Sequence, residues 1–140
     1  MDYNVQNHLH PYVYEDIKTI SDSNVNWPCL ENKTVFVTGG NGFIAFYLIC
    51  AMMIRNDLYN SNINIIALVR NKENAKKKYG ALLKRNDIQL IVQDVCQPIK
   101  CSRADFIIHA ASQASAYYFE HDPKGTIDAN LTGTLNVLEY

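Results

Sequence analysis

The sequence is short of glycine and proline, has no long apolar run and carries almost no net charge. Its six glycines and four prolines form no low-complexity tract and no linker, and 140 residues are enough for one domain. The longest apolar run, residues 43–54, is too short to cross a bilayer and is typical of a buried helix. A formal net charge of -1 gives no electrostatic reason to bind nucleic acid or an anionic membrane. We therefore predict one globular domain with neither of these partners.

The sequence also lacks a secretory signal and a metal-binding pattern. Its first residues have neither a basic region nor an apolar core, so we expect a cytoplasmic protein. The four cysteines show no CxxC spacing and are expected to be reduced thiols that bind no metal. His8 and His10 have no cysteine or acid nearby to complete a zinc shell, so no metal site is predicted.

From residue 33 onward, short apolar runs alternate with helical patterns. The apolar runs predict strands at residues 33–38, 64–69, 88–92 and 105–110, and helices are predicted at 42–57, 72–85 and from 123 to the end. Strands that alternate with helices are typical of an α/β fold with a parallel, doubly wound sheet. We therefore predict a partial Rossmann-type parallel sheet in the strand order 3-2-1-4 with flanking helices.

A glycine turn lies between the first predicted strand and the helix that follows it. Gly40, Gly42 and Ala45 satisfy the pattern G-x-G-x-x-A. Glycine is needed there because a side chain would keep the backbone away from a pyrophosphate, whose charge is held by the free N–H groups and the positive end of the helix. A plain strand-to-helix turn with chance glycines is the alternative, and the surrounding β-α-β unit argues against it. The turn predicts a binding site for NAD or NADP.

The segment before the first strand is predicted to be separate from this site. Spaced apolar positions over residues 12–20 indicate a short amphipathic helix, which we expect to pack on the outside of the sheet. Residues 1–32 are therefore predicted as an N-terminal extension with a short helix. Residues 33–140 are predicted as the N-terminal portion of an NAD(P)-binding Rossmann domain.

Arg70 ends the second strand, where folds of this type bind the ribose of the adenosine. An acid at this point would accept a hydrogen bond from the 2'-hydroxyl of NAD, whereas an arginine would pair with the 2'-phosphate of NADP. Arg70 and the lysines that follow Asn71 favour NADP on charge alone. A solvated helix face with an incidental arginine explains them equally well, so the choice between NAD and NADP stays open.

Further motifs resemble the extended short-chain dehydrogenase/reductases, in particular their nucleotide-sugar epimerases, dehydratases and decarboxylases. Residues 38–45 resemble the TGxxGFIG motif of that family, and Gln93-Asp94-Val95 resembles the acid that follows the third strand. Residues 109–139 are similar to a stretch of UDP-glucuronate decarboxylases and dTDP-glucose 4,6-dehydratases. The motif residues in that stretch are His109, Ala110, Ala111, Ser112, Ala114, Ser115, Tyr118, Pro123, Thr126, Asn130, Gly133, Thr134, Leu135, Asn136, Leu138 and Glu139.

The resemblance implies which residues lie against the cofactor. It implies that Asp94 and Val95 frame the adenine and that residues 110–114 lie beside the ribose and nicotinamide. Ala129 or Asn130 is implied to approach the cofactor from the last helix. With the glycine turn and the end of the second strand, the predicted cofactor-binding residues are Gly39, Gly40, Asn41, Gly42, Phe43, Ile44, Arg70, Asn71, Asp94, Val95, Ala110, Ala111, Ser112, Ala129 and Asn130.

The resemblance also implies a Tyr-x-x-x-Lys pair as general acid and base, a fifth strand and a sugar-binding domain. No such pair follows the fourth strand within these 140 residues, so no catalytic residue is predicted here. We expect the N-terminal portion of a homodimeric nucleotide-sugar enzyme, inactive alone. A complete non-enzymatic NAD(P)-binding or interaction module is the alternative, and the lack of a helix-stop signal at residues 138–140 argues against it.

Overall fold

Four apolar runs form one parallel β-sheet in the computed structural model, which describes residues 3–140. The strands are β1 (Thr34–Thr38), β2 (Asn64–Val69), β3 (Ile88–Val92) and β4 (Phe106–His109). Their order in the sheet is β3-β2-β1-β4, and each neighbouring pair is parallel. This arrangement confirms the α/β fold and the Rossmann-type strand order predicted from the sequence.

Successive residues of the strands face two separate hydrophobic clusters. Val35 and Val37 of β1 belong to the larger cluster, whereas Phe36 between them belongs to the smaller one. The ring of Tyr140 packs against Phe36 with a centroid distance of 5.0 Å. Because side chains alternate between the faces of a strand, a strand covered on both faces is apolar throughout. Because β1 and β2 are buried on both faces, their sequences are nearly continuous apolar runs, which allowed them to be predicted as strands.

Five α-helices surround the sheet within residues 3–140. They are α1 (Pro11–Ser21), α2 (Phe43–Tyr59), α3 (Lys72–Tyr79), α4 (Ala116–His121) and α5 (Pro123–Glu139), with short 3-10 helices at Val5–Asn7, Trp27–Leu30 and Gly80–Lys84. The predicted helix over residues 72–85 is interrupted at Gly80, whose φ of 53° lies outside the α-helical region. Helix α4 was not predicted, because every residue in it is exposed and no apolar face distinguishes it.

The N-terminal segment packs on α2. Val5 and Ile17 are fully buried in the same hydrophobic cluster as Ile49 of α2. Helix α1 packs directly against α2, so it contributes a further layer outside the helix that covers the sheet. The predicted short helix in this segment is therefore present and extends the hydrophobic core.

Arg85 holds the amino-terminal end of the sheet together through a nearly buried network. Its guanidinium lies 2.8 Å from Asp57 and 2.5 Å from Asp87, and it donates to the backbone oxygen of Tyr3 at 2.9 Å. The Arg85 side chain is only 9% exposed. Burial raises the pKa of Asp87, but the hydrogen bonds from Arg85 and Asn56 outweigh it and hold that pKa below its ordinary value. The network joins the N-terminal segment, α2 and the start of β3.

The four cysteines are free thiols in different surroundings. Cys29 is exposed, whereas Cys50 is buried in α2, where burial raises the pKa of its thiol to about 12. No cluster of histidine, cysteine or acidic side chains in residues 3–140 is arranged to hold a metal ion. Over the same residues, none of the helices combines the length and the apolar character needed to cross a bilayer.

Apolar side chains are exposed on β4 and on α5. Phe106 and Ile107 lie on the edge strand β4 and are 39% and 42% exposed. Leu131, Leu135 and Leu138 form a flank of α5 and are 59–76% exposed. The last helix therefore carries an exposed apolar flank.

Candidate cofactor site

A cavity of about 480 Å³ opens at the carboxyl ends of the strands. Segments that follow each of the four strands line it, together with the start of α5. Open α/β sheets bind ligands at this edge, because the connections after parallel strands converge there. The lining residues are Gly39, Asn41, Gly42, Leu68, Val69, Arg70, Asn71, Asn74, Gln93, Asp94, Val95, Cys96, Ala110, Ala111, Ser112, Gln113, Asp122, Gly125, Asp128 and Ala129.

The glycine turn after β1 forms one wall of the cavity. Gly39 has a φ of 67°, and a Cβ atom on it would lie 2.5 Å from the carbonyl oxygen of Ala110. The turn closes through a hydrogen bond of 2.7 Å from the Gly42 amide to the Gly39 oxygen. A Cβ atom on Gly42 would meet only that oxygen, at 3.0 Å. Gly39 is therefore needed for the fold of the turn, whereas Gly42 leaves open space on the cavity side.

Helix α2 begins at this turn without a side-chain cap. Its N-cap residue is Gly42, which has no side chain to accept hydrogen bonds from the first amides. Uncapped amides at the positive end of a helix favour an anion. The nearby Asn41 donates its amide to the Asn71 oxygen at 2.9 Å, and its buried Oδ1 has no partner within the described chain. Both features fit the pyrophosphate and hydroxyl groups of a dinucleotide.

Thr38 joins the carboxyl ends of β1 and β4. Its hydroxyl oxygen accepts hydrogen bonds from the amides of Ala110 and Ala111, each at 3.1 Å, and lies 2.7 Å from His109 Nδ1. Because the oxygen already accepts twice, the hydroxyl donates its proton to Nδ1, which puts the ring proton on Nε2. Burial lowers the pKa of His109, which favours this neutral form. His109 thus holds the framework, and the small residues after it leave the cavity open.

The loop after β3 is held between the cavity and α5. The Asp94 carboxylate accepts a hydrogen bond from the Cys96 amide at 2.9 Å, and the Val95 oxygen accepts one from Asn136 at 2.8 Å. A Cβ atom on Gly133 would lie 2.8 Å from Val95 Cγ1, so only glycine allows this close approach of α5. Gly133 and Asn136 of the motif stretch therefore act at a distance from the cavity, through the position of Val95.

Two groups of opposite charge, Arg70 and Asp122, line the cavity. Arg70 is exposed, and no acid within residues 3–140 forms an ion pair with it. Asp122 caps α5 by accepting from the Gly125 amide at 3.0 Å and also accepts from Gln113 at 3.2 Å. These hydrogen bonds, with a smaller contribution from Arg70, hold the pKa of Asp122 below its ordinary value. The cavity therefore offers an unpaired guanidinium beside a carboxylate that is already committed to a helix cap.

Most residues predicted to bind the cofactor lie together at this cavity. Gly40, Phe43, Ile44 and Asn130 do not line it. Gly40 lies beneath the turn, where a Cβ atom would be 3.1 Å from Val69. Phe43 and Ile44 are 72% and 68% exposed. Both lie in the first turn of α2, so their backbone amides are among those that no side chain caps. Asn130 bonds to the Thr126 oxygen of its own helix, and Ala129 is the α5 residue at the cavity.

Sequence reasoning missed several polar lining residues, including Asn74, Gln93 and Asp122. A signal was present for Asp122, because an aspartate directly before a proline is a common start of a helix. Gln113 was placed beside the cofactor only as one of residues 110–114, without a signal of its own. It is buried because Thr126 and Asp122 of the next helix bond to it, a contact between segments that a local pattern does not contain.

A Tyr-x-x-x-Lys spacing does occur on α1, at Tyr14 and Lys18, but neither residue lines the cavity formed by residues 3–140. Tyr14 is buried against the core, and Lys18 pairs with Asp22 at the end of its own helix. This pair lies on a helix that packs behind α2. Tyr14 and Lys18 therefore have the spacing of an acid/base pair but do not lie at the cavity.

A parallel sheet with a glycine turn and a cavity at its carboxyl edge is the architecture of Rossmann-type proteins. Residues 35–140 match the model of the NAD dependent epimerase/dehydratase family. The chain belongs to this family. The resemblance inferred from the sequence motifs is thereby confirmed.

Curated relatives of the chain include several decarboxylases. UDP-glucuronic acid decarboxylase 3 of Arabidopsis thaliana is 33% identical over 110 residues, which are 79% of this chain and 30% of the relative. UDP-glucuronic acid decarboxylase 6 of the same plant is 34% identical over 108 residues, or 77% and 30% of the two chains. UDP-glucuronic acid decarboxylase 1 of Danio rerio is 28% identical over 125 residues, or 89% and 27%. The match therefore spans less than a third of the length of these relatives.

Proposed function

We propose that this chain is the NAD(P)-binding portion of a nucleotide-sugar epimerase, dehydratase or decarboxylase. Membership of the NAD dependent epimerase/dehydratase family and similarity to UDP-glucuronic acid decarboxylases support the proposal. The observation that carries it is the uncapped start of α2 at Gly42, which lies on a cavity shared by all four strands. NAD or NADP supplies hydride transfer when bound, and the residues of this chain bind and orient it.

Each wall of the cavity has a separate part in this proposal. The glycine turn and the first amides of α2 hold the pyrophosphate. Arg70 lies where the adenosine ribose would be, and Asp94 with Val95 frames the adenine. The small side chains of Ala110 and Ala111, fixed by Thr38, leave space for the nicotinamide half. Under this proposal, residues of this chain contact both halves of the dinucleotide.

We expect binding without turnover by residues 1–140. The Tyr-x-x-x-Lys pair that would move a proton from the sugar does not occur after β4 in this chain. Calorimetric titration with NAD and with NADP tests the binding, and added UDP-glucuronic acid should yield neither carbon dioxide nor a new UDP-sugar, the products that turnover by a decarboxylase would give. Saturable binding of either dinucleotide supports the proposal, and the absence of binding to both contradicts it.

The encoding DNA beyond codon 140 tests the larger function. A continuing frame with a fifth strand and a Tyr-x-x-x-Lys pair would support the nucleotide-sugar enzyme. A stop codon directly after Tyr140 would instead favour a non-enzymatic NAD(P)-binding module.

The replacement Arg70→Ala should weaken NADP more than NAD. A guanidinium paired with the 2'-phosphate forms charge-assisted hydrogen bonds, so NADP should lose roughly 1.5 to 3 kcal/mol of binding free energy relative to NAD. The measurement is the ratio of the two affinities before and after the replacement. Arg103→Ala, which removes an exposed guanidinium that does not line the cavity, is the control. An unchanged ratio would show that Arg70 is only a surface residue.

The apolar side of β4 and α5 should make the 140-residue chain self-associate. In the whole enzyme we propose that this side is covered by further strands and by a second subunit. Sedimentation velocity should show association that grows with concentration, because contiguous exposed apolar side chains favour burial. The double replacement Leu131→Lys with Leu135→Lys keeps good helix formers and should shift the chain toward monomer. A stable monomer at all concentrations of the unmodified chain would contradict this expectation.

A further inference from the structure

The end of α3 lies against the back of the glycine turn. The Tyr79 hydroxyl donates to the Gly40 oxygen at 2.6 Å, and Lys78 Nζ lies 2.7 Å from the Asn41 oxygen and 3.3 Å from the Gly42 oxygen. Three consecutive carbonyl groups of the turn are therefore bonded from the side of α3. Within residues 3–140, neither Lys78 nor Tyr79 is among the residues that line the cavity.

Fixing these carbonyl groups also fixes the amides that follow them. In a planar trans peptide, the C=O group and the next N–H group point in opposite directions. Because the Gly40 and Gly42 oxygens are bonded by α3, the amides of Asn41 and Phe43 point away from the donors on α3. Those amides belong to the turn and to the helix start that the proposed pyrophosphate would occupy.

Burial makes Tyr79 the stiffer of the two contacts. Its side chain is 2% exposed, and its ring packs edge-on against Phe46 at a centroid distance of 5.1 Å. Burial raises the pKa of Tyr79, so the phenol keeps its proton and remains a donor. In the described part of the chain, the Gly40 oxygen accepts no other hydrogen bond. Lys78 Nζ lies 5.1 Å from the centroid of the same Phe46 ring.

We propose that Tyr79 and Lys78 are positioning residues that hold the glycine turn in the conformation that binds the pyrophosphate. They act on the cofactor through the turn and make no contact with it themselves. This inference rests on the proposed function, because it concerns the residues that fix the glycine turn of the same site. It predicts that the affinity for phosphate groups depends on two side chains outside the cavity.

The test compares ADP with adenosine on the 140-residue chain. Tyr79→Phe keeps the buried ring and removes only the hydroxyl, and Lys78→Met keeps the length of the side chain without its charge. Each should weaken ADP by about tenfold, the effect of losing one orienting hydrogen bond, and should change adenosine by less than about twofold. Lys77→Met, on an exposed neighbour, should change neither ligand. Lys78→Arg should restore most of the affinity for ADP.

Other outcomes separate this inference from the proposed function. Equal losses for ADP and adenosine, or unchanged binding of both, would overturn the positioning role. If the unmodified chain binds no nucleotide, the proposed function fails. Amide hydrogen exchange of residues 40–44 without ligand then still decides the role, since Tyr79→Phe should speed exchange there and Lys77→Met should not. Unchanged exchange in Tyr79→Phe would overturn it.

Discussion

Gly42→Val is expected to abolish the binding of both NAD and NADP. A Cβ atom at this position would meet only the Gly39 oxygen, at 3.0 Å, and Gly42 lines the cavity, so a branched side chain there would take up space at the cavity wall. That space is where a pyrophosphate would approach the first amides of α2. Calorimetric titration of both cofactors against the unmodified chain and the variant measures the effect. Equal affinities would show that no pyrophosphate lies against this turn.

A loss of binding must be separated from a loss of folding. Gly42 has an ordinary negative φ of -67°, so a side chain there requires no strained backbone. The melting temperature of Gly42→Val should therefore fall little, and Gly42→Ala should show an intermediate affinity. Gly39→Ala offers the contrast, because Gly39 has a positive φ and its Cβ would overlap the Ala110 oxygen. That variant should melt at a clearly lower temperature.

Arg85→Leu is expected to destabilise the fold by about 3 kcal/mol or more, because it leaves two partly buried carboxylates without their cation. Asp57 and Asp87 lie 2.8 and 2.5 Å from the guanidinium, with side chains only 14% and 20% exposed. Urea denaturation measures the free energy of unfolding. Arg103→Leu makes the same replacement at an exposed site and should cost little.

The charge explanation has its own check. Adding Asp57→Asn and Asp87→Asn to Arg85→Leu should recover part of the lost stability, since the unpaired charges are then removed. The lowered pKa of Asp87 stabilises the fold above its ordinary value of 3.8, and that stabilisation is lost as the pH falls through the folded value. Without Arg85, this loss of stability on acidification should disappear, because no cation then favours the charged form of the buried carboxylates. No recovery in the triple variant would point to lost packing of the Arg85 side chain instead.

The fold could be predicted from the sequence because its signals are local. The two central strands, β1 and β2, are buried on both faces and therefore stand out as apolar runs, and the glycines mark the first turn. The interruption at Gly80 was missed, since a glycine inside a charged helical pattern does not show whether the helix ends there or continues. Helix α4 was missed because an exposed helix has no apolar face to reveal it.

The residues of the candidate site could be predicted only where the order and direction of the strands determine their position. The residues after the strand ends were found because parallel strands bring those positions together. Gln113 was predicted only as one of residues 110–114 and Tyr79 was assigned no role, because the contacts of both side chains are with partners 13 and 39 residues away in the chain. The family motifs pointed to Asp94 and Val95, yet the reason for Gly133 became clear only when α5 was seen against Val95.

The Arg85 network and the cavity lie at opposite ends of the same strands. A strand of five residues separates them by roughly 16 Å, and the hydrogen-bonded sheet lies between them. Changes at the two ends should therefore combine almost additively. In evolution, a replacement that improves the cavity at the expense of stability could be offset at the amino end without altering the new affinity. This separation lets one fold acquire new ligands at the cavity while its free energy of unfolding is maintained by residues at the amino end of the strands.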